Sequence, residues 1–380
     1  MSTPRTLALP DRVRRVTVDT SRGAFAALEA MPGRGVCERR PALLVPGYTG
    51  SKEDFLAVLE PLAAAGRRVI AMDLRGQYET PGPTSHGAYA PDALASDVAA
   101  VATAVAGQED HGVHLLGHSF GGLIARQAVL AREAAISSLT LLGSGPGSLT
   151  GPRAGELQAM LAQLAEAAPG QLAERVAELW DTRLEPQAVA DGVPAPIVGF
   201  LRERMTRTSP DGLIAMGQYL LNCPDRTAAL AELGNAPMLV LYGENDDAWA
   251  PDVQNQMAKQ LGAQRVCIPA AAHSPAVEAP ETTASTLNAF WNSVESGDRR
   301  RKPAGQDASA SAPAPASASA PAPDSAADAG SGEAGRGDGT APGGAAEAPA
   351  DAPADGPSGT SSDSPSQGRR GSAAAMPSGQ

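Results

Sequence analysis

Residues 113–124 read VHLLGHSFGGLI and join two elements of different periodicity. Three of the first four are apolar, as in a short buried strand, whereas residues 120–133 place apolar side chains at helical spacing. Between them stands the run Gly117-His118-Ser119-Phe120-Gly121. A glycine on each side of a serine permits the sharp, strained turn that presents a hydroxyl at the end of a strand. We therefore predict a strand, a tight turn exposing Ser119 and a helix. A glycine-rich strand–helix turn without chemistry is the alternative interpretation.

Strand-like and helix-like segments alternate along much of the chain. The predicted strands are residues 14–19 and 24–31, which look like a hairpin, and residues 43–45, 68–72, 113–116, 136–142, 238–242 and 265–268. The predicted helices of the same repeat are residues 52–65, 91–106, 120–133, 252–261 and 280–294. Strands followed by helices at this interval predict an α/β fold, with a mostly parallel sheet and helices on both faces.

The alternation stops between residues 151 and 233, which are helical in pattern and punctuated by proline. A helical insertion after the sixth strand is typical of a cap over an active site. We therefore predict an α/β core formed by residues 1–150 and 234–296, with a helical cap at residues 151–233. Extra helices packed beside the sheet are the alternative.

The last part of the chain, residues 297–380, contains no Leu, Ile, Val, Phe, Trp or Tyr. It consists mainly of Ala, Pro, Ser, Gly, Asp and Glu, so it has too little apolar surface to offset the entropy of ordering. We expect a disordered, low-complexity tail that acts as a solubilising extension. A docking function for the tail is the other interpretation.

Charge and cysteine content limit the partners and the compartment. The formal net charge is −12, which argues against nucleic acid as a partner of the folded part. No apolar run is long enough for a membrane span, and residues 1–20 lack the apolar centre of a signal peptide. Cys37, Cys223 and Cys267 show neither CxxC nor metal-ligand spacing, so we interpret them as buried or half-buried thiols. These features predict a cytoplasmic protein.

A serine nucleophile requires a base, and histidine is the usual one. The chain has five histidines, at positions 86, 111, 114, 118 and 273. His114 lies inside a predicted strand, and His118 is expected to point away from the neighbouring serine. His273 lies in the loop that follows the last predicted strand, at the sheet edge where active sites of α/β proteins assemble. We therefore predict His273 as the base.

The base requires a carboxylate that orients it. Residues 243–247 read GENDD and directly follow the predicted strand 238–242, so they also lie at the carboxyl edge of the sheet. We assign Asp246 as the acid and keep Asp247 as an alternative acid. Both could instead cap the next helix, which is an ordinary use of aspartate. Asp73, at the end of an earlier strand, is a third candidate.

Acyl transfer also requires two N–H donors for the developing oxyanion. The backbone N–H of Phe120 is one candidate, because it opens a helix directly after Ser119. The loop of residues 46–50 follows the third strand, and Gly47 permits close approach of the backbone. We therefore predict the backbone N–H of Tyr48 as the second donor.

Taken together, these segments resemble the α/β-hydrolase superfamily, and most of all its capped esterase and lipase-like members common in actinobacteria. The resemblance rests on residues 45–48, 73–77, 117–122, 241–246 and 272–275. Many members have His-Gly where this chain has Pro46-Gly47, a change that leaves the backbone donors in place. Many also have proline four residues after the catalytic aspartate. Pro251 lies four residues after Asp247 and five after Asp246, so the choice of acid stays open.

The resemblance implies a serine hydrolase that cleaves a small carboxylic ester through Ser119, His273 and Asp246, with an acyl-enzyme intermediate. The expected partner is a small acyl substrate, and neither a metal nor an organic cofactor is needed. The cap is expected to line an apolar cavity with Ala, Leu and Met side chains and Trp180. The same triad also serves a cofactor-free perhydrolase (haloperoxidase-like), a carbon–carbon bond hydrolase, or a thioesterase or acyltransferase. A non-catalytic binding protein is the alternative from another class.

Overall fold

The computed structural model describes residues 2–33, 39–107, 112–234 and 236–297. The predicted tail, apart from Gly297, lies outside the described residues, as do Cys37 and His111.

A twisted sheet lies at the centre of the described part of the chain. Its strands are β1 (Val13–Thr20), β2 (Gly23–Ala30), β3 (Arg39–Val45), β4 (Arg67–Met72), β5 (Val113–His118), β6 (Ile136–Leu142), β7 (Met238–Gly243) and β8 (Gln264–Ile268). They are arranged in the order β1-β2-β4-β3-β5-β6-β7-β8. β1 and β2 form an antiparallel hairpin, and β2 also pairs antiparallel with β4. All the other pairings are parallel.

Helices cover both faces of the sheet. Those of the strand–helix repeat are α1 (Leu56–Ala64), α2 (Pro91–Ala106), α3 (Phe120–Ala131), α10 (Pro251–Leu261), α11 (Pro275–Glu278) and α12 (Pro280–Glu295). One hydrophobic cluster joins the sheet to α2, α3 and α10 through side chains such as Leu94, Leu123 and Met257. A second cluster joins the opposite face to α1 and α12 through Leu59 and Leu287. The central strands are therefore buried on both faces, which explains their continuous apolar runs.

A helical segment separates β6 from β7. It comprises α4 (Gly151–Ala165), α5 (Leu172–Leu179), a π-helical turn (Trp180–Leu184), α6 (Glu185–Ala190), α7 (Ala195–Arg207), α8 (Pro210–Asn222) and α9 (Thr227–Leu233). A third hydrophobic cluster lies within it, around Trp180, Phe200 and Met205. This segment has a hydrophobic cluster of its own, and its Leu157, Met216 and Leu220 also belong to the first cluster on the sheet.

The predicted fold class is confirmed, and the differences lie mainly at element ends. β3 begins at Arg39, four residues before the predicted strand, and the predicted helix 52–65 begins as a 3₁₀ turn (Lys52–Phe55). α3 ends at Ala131 because Arg132 adopts a left-handed conformation (φ 56°). The interpretation of Cys267 as a buried or half-buried thiol is wrong. Its side chain is exposed because β8 is the edge strand.

Within the described residues, no helix combines the length and the apolar character needed to cross a membrane.

A buried polar cluster fixes α12 to the sheet. Arg67 of β4 donates to Glu295 (2.5 Å), and His114 of β5 lies between Ser138 (2.7 Å) and Glu295 (3.1 Å). The ring of Trp291 stacks on that of His114, with centroids 5.5 Å apart. Burial lowers the pKa of His114 to about 4 despite its contact with Glu295. The imidazole is therefore neutral near pH 7, donating to the carboxylate and accepting from the serine hydroxyl.

We predict that acid destabilises the fold through His114. The unfolded chain takes up a proton at this residue near pH 6.5, whereas the folded chain resists protonation until about pH 4. Because the unfolded state binds more protons in this window, the free energy of unfolding falls as the pH falls, by up to about 3 kcal/mol from this group. Urea unfolding of the wild type and of His114→Gln at several pH values between 7 and 4 measures this contribution. The free energy of unfolding should fall less steeply with falling pH in the variant than in the wild type. Equal slopes for wild type and His114→Gln would contradict the prediction.

Candidate active site

Ser119 lies in the tight turn between β5 and α3. Its backbone has φ 54° and ψ −121°, an unfavourable conformation for a residue with a side chain. The turn is held by the N–H of Ser119, which donates to the carbonyl of Leu142 at the end of β6 (2.9 Å). A Cβ atom at Gly117 would clash with the carbonyl of Gly121, and one at Gly121 would clash with that of Pro46. The two glycines are therefore required by close packing of the backbone around the serine.

His273 follows β8 and contacts two residues that are distant in sequence. Its Nε2 lies 2.9 Å from the Oγ of Ser119, and its Nδ1 lies 2.9 Å from Oδ1 of Asp246. The three predicted residues are therefore brought together in one chain of hydrogen bonds. Since an ionised carboxylate can only accept, Nδ1 carries the proton, and Nε2 is free to accept from the serine hydroxyl.

The carboxylate of Asp246 is buried and held from three directions. Besides His273, it accepts hydrogen bonds from the backbone N–H of Ala248 (2.9 Å) and from Nε2 of Gln254 on α10 (2.9 Å). Burial alone would raise the pKa of Asp246, but the hydrogen bonds, led by that of His273, outweigh it and hold the pKa below its ordinary value. Asp246 is therefore an anion fixed beside the imidazole.

The two other aspartates considered from the sequence lie elsewhere. The side chain of Asp247 is 61% exposed and forms an ion pair with Arg153 of α4 (2.6 Å). Asp73 is buried and pairs with Lys52 (2.8 Å), and burial raises the pKa of its carboxyl group to about 7. The structure thus brings Asp246, and neither Asp247 nor Asp73, into contact with His273.

Two side chains hold the loop that presents His273. Glu278 of α11 accepts hydrogen bonds from the backbone N–H groups of Ala272 and Ser274, on either side of the histidine. His118 donates from Nε2 to the backbone carbonyl of His273 (2.9 Å). The expectation that His118 points away from the serine site is wrong, because its ring lies 5.1 Å from that of His273. Burial lowers the pKa of His118 to about 3, so it is neutral near pH 7.

Gln77, which follows β4, fixes the loop of residues 46–50. Its buried side-chain amide accepts from the N–H of Leu74 (3.1 Å) and donates to the carbonyls of Gly47 (2.8 Å) and Tyr48 (3.0 Å). In a trans peptide the C=O and N–H point in opposite directions. Because the carbonyl of Gly47 faces Gln77, the N–H of Tyr48 points away from Gln77.

The same loop approaches the serine closely. A Cβ atom at Gly47 would lie 3.2 Å from the Cβ of Ser119, so a larger residue would crowd the site. The hydroxyl of Tyr48 donates to the carbonyl of Leu213 on α8 (2.6 Å), and its ring packs edge-on against Phe120. Tyr48 therefore connects the loop to the helical segment through its side chain.

A cavity of about 210 Å³ opens over Ser119 and His273. Its apolar lining comes largely from the helical segment and consists of Leu149, Leu157, Met160, Leu179, Leu184, Met205, Leu220 and Ala248. Charged side chains of Arg153, Glu156 and Arg183 also line it. Trp180 does not line this cavity, contrary to expectation. It is buried in the cluster of the helical segment, where its indole N–H donates to Glu185 (3.0 Å). In the four described ranges, no three His, Cys, Asp or Glu side chains are placed to hold a metal ion.

Few of the residues that support the site are marked in the sequence. Gln77 falls in the segment 73–77 that carries the family resemblance, and this is its one signal. Glu278 and His118 act through hydrogen bonds to the backbone, and Gln254 bonds to the side chain of Asp246, eight residues before it. No motif marks such residues.

Comparison with known proteins agrees with this architecture. Residues 42–286 match the model of the alpha/beta hydrolase family. A thermophilic esterase from Thermogutta terrifontis superposes with a TM-score of 0.53 at 23% identity, over 74% of this chain and 99% of that chain. At this identity the likeness shows the fold alone.

Two relatives are similar in sequence. The chain is 26% identical over 263 residues to a pimeloyl-[acyl-carrier protein] methyl ester esterase from Neisseria meningitidis, covering 66% of this chain and 93% of that protein. It is 36% identical over 110 residues to a protein from Variovorax paradoxus whose assignment as a carbamate hydrolase is provisional. That match covers 29% of this chain and only 40% of the relative.

We predict that Gln77 contributes strongly to stability. Gln77→Met removes the acceptor of the backbone N–H of Leu74 and the side-chain donor to the carbonyl of Tyr48. The free energy of unfolding should therefore fall by about 2–4 kcal/mol. Urea denaturation measures the loss. Gln187→Met is the matched control, because Gln187 is exposed and bonds only to Asp191 on the same helical segment. It should change stability by less than about 0.5 kcal/mol. An equal loss in the two variants would disprove the special role of the buried amide.

Proposed function

The chain belongs to the alpha/beta hydrolase family, and from this we propose that it is a serine hydrolase that cleaves a small carboxylic ester with Ser119, His273 and Asp246. One observation supports this proposal above all. The Oγ of Ser119, both ring nitrogens of His273 and Oδ1 of Asp246 form a continuous chain with two 2.9 Å steps. Residues from three separate loops meet in this geometry, which is the one that nucleophilic catalysis by serine requires.

In the proposed mechanism, Nε2 of His273 accepts the proton of Ser119 as the hydroxyl oxygen attacks the carbonyl carbon of the ester. The imidazolium formed is stabilised by Asp246, which remains ionised because its pKa is lowered. The tetrahedral intermediate then collapses, and His273 gives its proton to the leaving alcohol. Water, activated by the same imidazole, attacks the acyl-enzyme and releases the acid.

The oxyanion of the tetrahedral intermediate is assigned to the backbone N–H groups of Tyr48 and Phe120. Phe120 is the first residue of α3, and the N–H at this position has no partner within the helix. For Tyr48, the support is the peptide orientation set by Gln77 together with the close approach of Gly47 to Ser119. Fixed dipoles of this kind stabilise negative charge without having to reorient during the reaction.

We also assign the helical segment of residues 151–233 as a cap on the active site. Nearly half of the residues that line the cavity over Ser119 come from this segment. Their mostly apolar side chains favour an ester whose parts are small and apolar. The chain is similar in sequence to a methyl ester esterase, which agrees with ester chemistry.

Replacing the nucleophile should abolish turnover. Ser119→Ala is expected to lower kcat/KM for p-nitrophenyl acetate by a factor of about 10³ or more, because no hydroxyl remains to form the acyl-enzyme. A fluorophosphonate probe should label Ser119 in the wild type and leave the variant unlabelled, as read by mass spectrometry. Ser285→Ala, on the exposed side of α12, is the matched control and should retain full activity. Full ester hydrolysis by Ser119→Ala would refute the proposal.

The neighbouring aspartates provide a test of the acid. Asp246→Asn should lower kcat/KM by about 10³-fold or more, because a neutral amide no longer fixes the tautomer of His273 or stabilises its cation. Asp247→Asn, which differs by one position in the chain, should stay within about fivefold of the wild type, since Asp247 contacts Arg153 and is exposed. Steady-state kinetics on the same ester measures both variants. The reverse order of losses would show that the wrong carboxylate was assigned.

A further inference from the structure

The segment of residues 2–7, here called the N-terminal strap, lies against the catalytic cavity. Ser2 is one of the residues that line the cavity, and its Oγ lies 2.8 Å from the Oγ of Ser274, the residue after His273. Pro4 is buried, and Leu7 packs against the hydrophobic cluster of the helical segment. The strap therefore contacts the rest of the protein near both of its ends.

A buried arginine anchors the strap. Arg204 of α7 has a side chain only 1% exposed, and it donates from Nη1 to Oδ1 of Asp54 (2.8 Å) and from Nη2 to the carbonyl of Ser2 (2.8 Å). Asp54 is equally buried and balances the charge. A buried guanidinium needs hydrogen-bond acceptors in fixed positions. For Arg204 of the helical segment, Asp54 of the core is one acceptor and the carbonyl of Ser2 is the other.

A second contact holds the strap to the loop of the catalytic histidine. Arg5 donates from Nη2 to the backbone carbonyl of Glu278 (2.9 Å). Glu278 is the residue whose carboxylate accepts from the backbone on both sides of His273. The strap thus bonds to the helical segment at Arg204 and to the histidine loop at Ser274 and Glu278.

These contacts make Ser2 part of the boundary of the substrate site. Met205, which follows the anchoring Arg204, lines the same cavity, and the apolar leucines and methionines of the helical segment line much of the rest. The cavity of about 210 Å³ is smaller than the roughly 300–1,000 Å³ typical of pockets for drug-sized ligands. In a cavity of this size, the bulk of each wall residue affects the room left for an acyl chain.

We propose that the N-terminal strap is a wall of the substrate cavity and limits the length of the apolar acyl chain that the enzyme accepts. This inference rests on the proposed function as an ester hydrolase. The strap acts as a specificity element, because it contacts the substrate chain and takes no part in the bond-breaking steps. Its effect is measured as the ratio of the rates for long and short esters.

The test changes the bulk of the wall. In Ser2→Trp, the ratio of kcat/KM for p-nitrophenyl octanoate to that for p-nitrophenyl acetate should fall by about tenfold or more, because the larger side chain takes up room that the longer acyl chain needs. Leu9→Trp is the matched control. Leu9 is exposed, just beyond the strap and outside the cavity lining, so the ratio should remain that of the wild type. Deletion of residues 2–7 should shift the ratio in the opposite direction, because the cavity then opens.

Thermal melts establish that each variant is folded before its kinetics are compared. If deletion of the strap prevents folding, Ser2→Trp and Ser2→Gly measure the two directions of the effect. An unchanged ratio in folded Ser2→Trp, with both esters hydrolysed by the wild type, overturns the strap proposal and leaves the proposed function intact.

Failure of the wild type to hydrolyse either ester overturns the proposed function instead. Calorimetric titration with octanoate then tests the wall without turnover, since binding should weaken by about tenfold in Ser2→Trp and stay unchanged in Leu9→Trp. Equal binding of octanoate to both variants overturns the strap proposal in that case.

Discussion

The candidate site depends on the protonation of one imidazole. A neutral histidine donates from one ring nitrogen and accepts at the other, and the two roles cannot be exchanged without rotating the ring. Asp246 fixes the proton on Nδ1 of His273, and only then does Nε2 present a lone pair to Ser119. The surrounding loops hold this ring, the carboxylate of Asp246 and the hydroxyl of Ser119 within hydrogen-bonding distance of one another.

The supporting hydrogen bonds show how that position is maintained. Glu278 and His118 bind the backbone around His273, so they fix the position of the ring without occupying either ring nitrogen. Gln254 uses the second oxygen of Asp246 and leaves the first for the histidine. Gln77 holds the loop of Tyr48 by donating to the carbonyls of Gly47 and Tyr48, so it orients backbone peptides and not a side chain. His118, Gln254 and Gln77 are neutral groups, so these three add no charge to the site.

Much of the fold and the main site residues could be predicted because the signals are local or follow from topology. The run around Ser119 is a continuous motif, and the parallel strands place the segments after β7 and β8 at the same edge as Ser119. The choice between Asp246 and Asp247 could not be made, since both follow the same strand and only the course of the loop separates their side chains. The contacts of His118 and of Ser2 could not be foreseen either. Each depends on a partner more than 150 residues away, and no spacing in the chain encodes such a pairing.

The links between the helical segment and the core bear on how a substrate would be selected. The hydroxyl of Tyr48 bonds to α8, and the buried Arg204 of α7 bonds to Asp54 of the core, so two separate helices are fixed to the core. Breaking the second link would leave a charge buried without its partner, which is far costlier than separating apolar surfaces. A helical segment held in this way favours a cavity that is formed before the substrate arrives. A preformed cavity requires little ordering on binding, and it discriminates by the size of what it admits. Under the proposed function, the walls of the cavity then determine which esters reach Ser119.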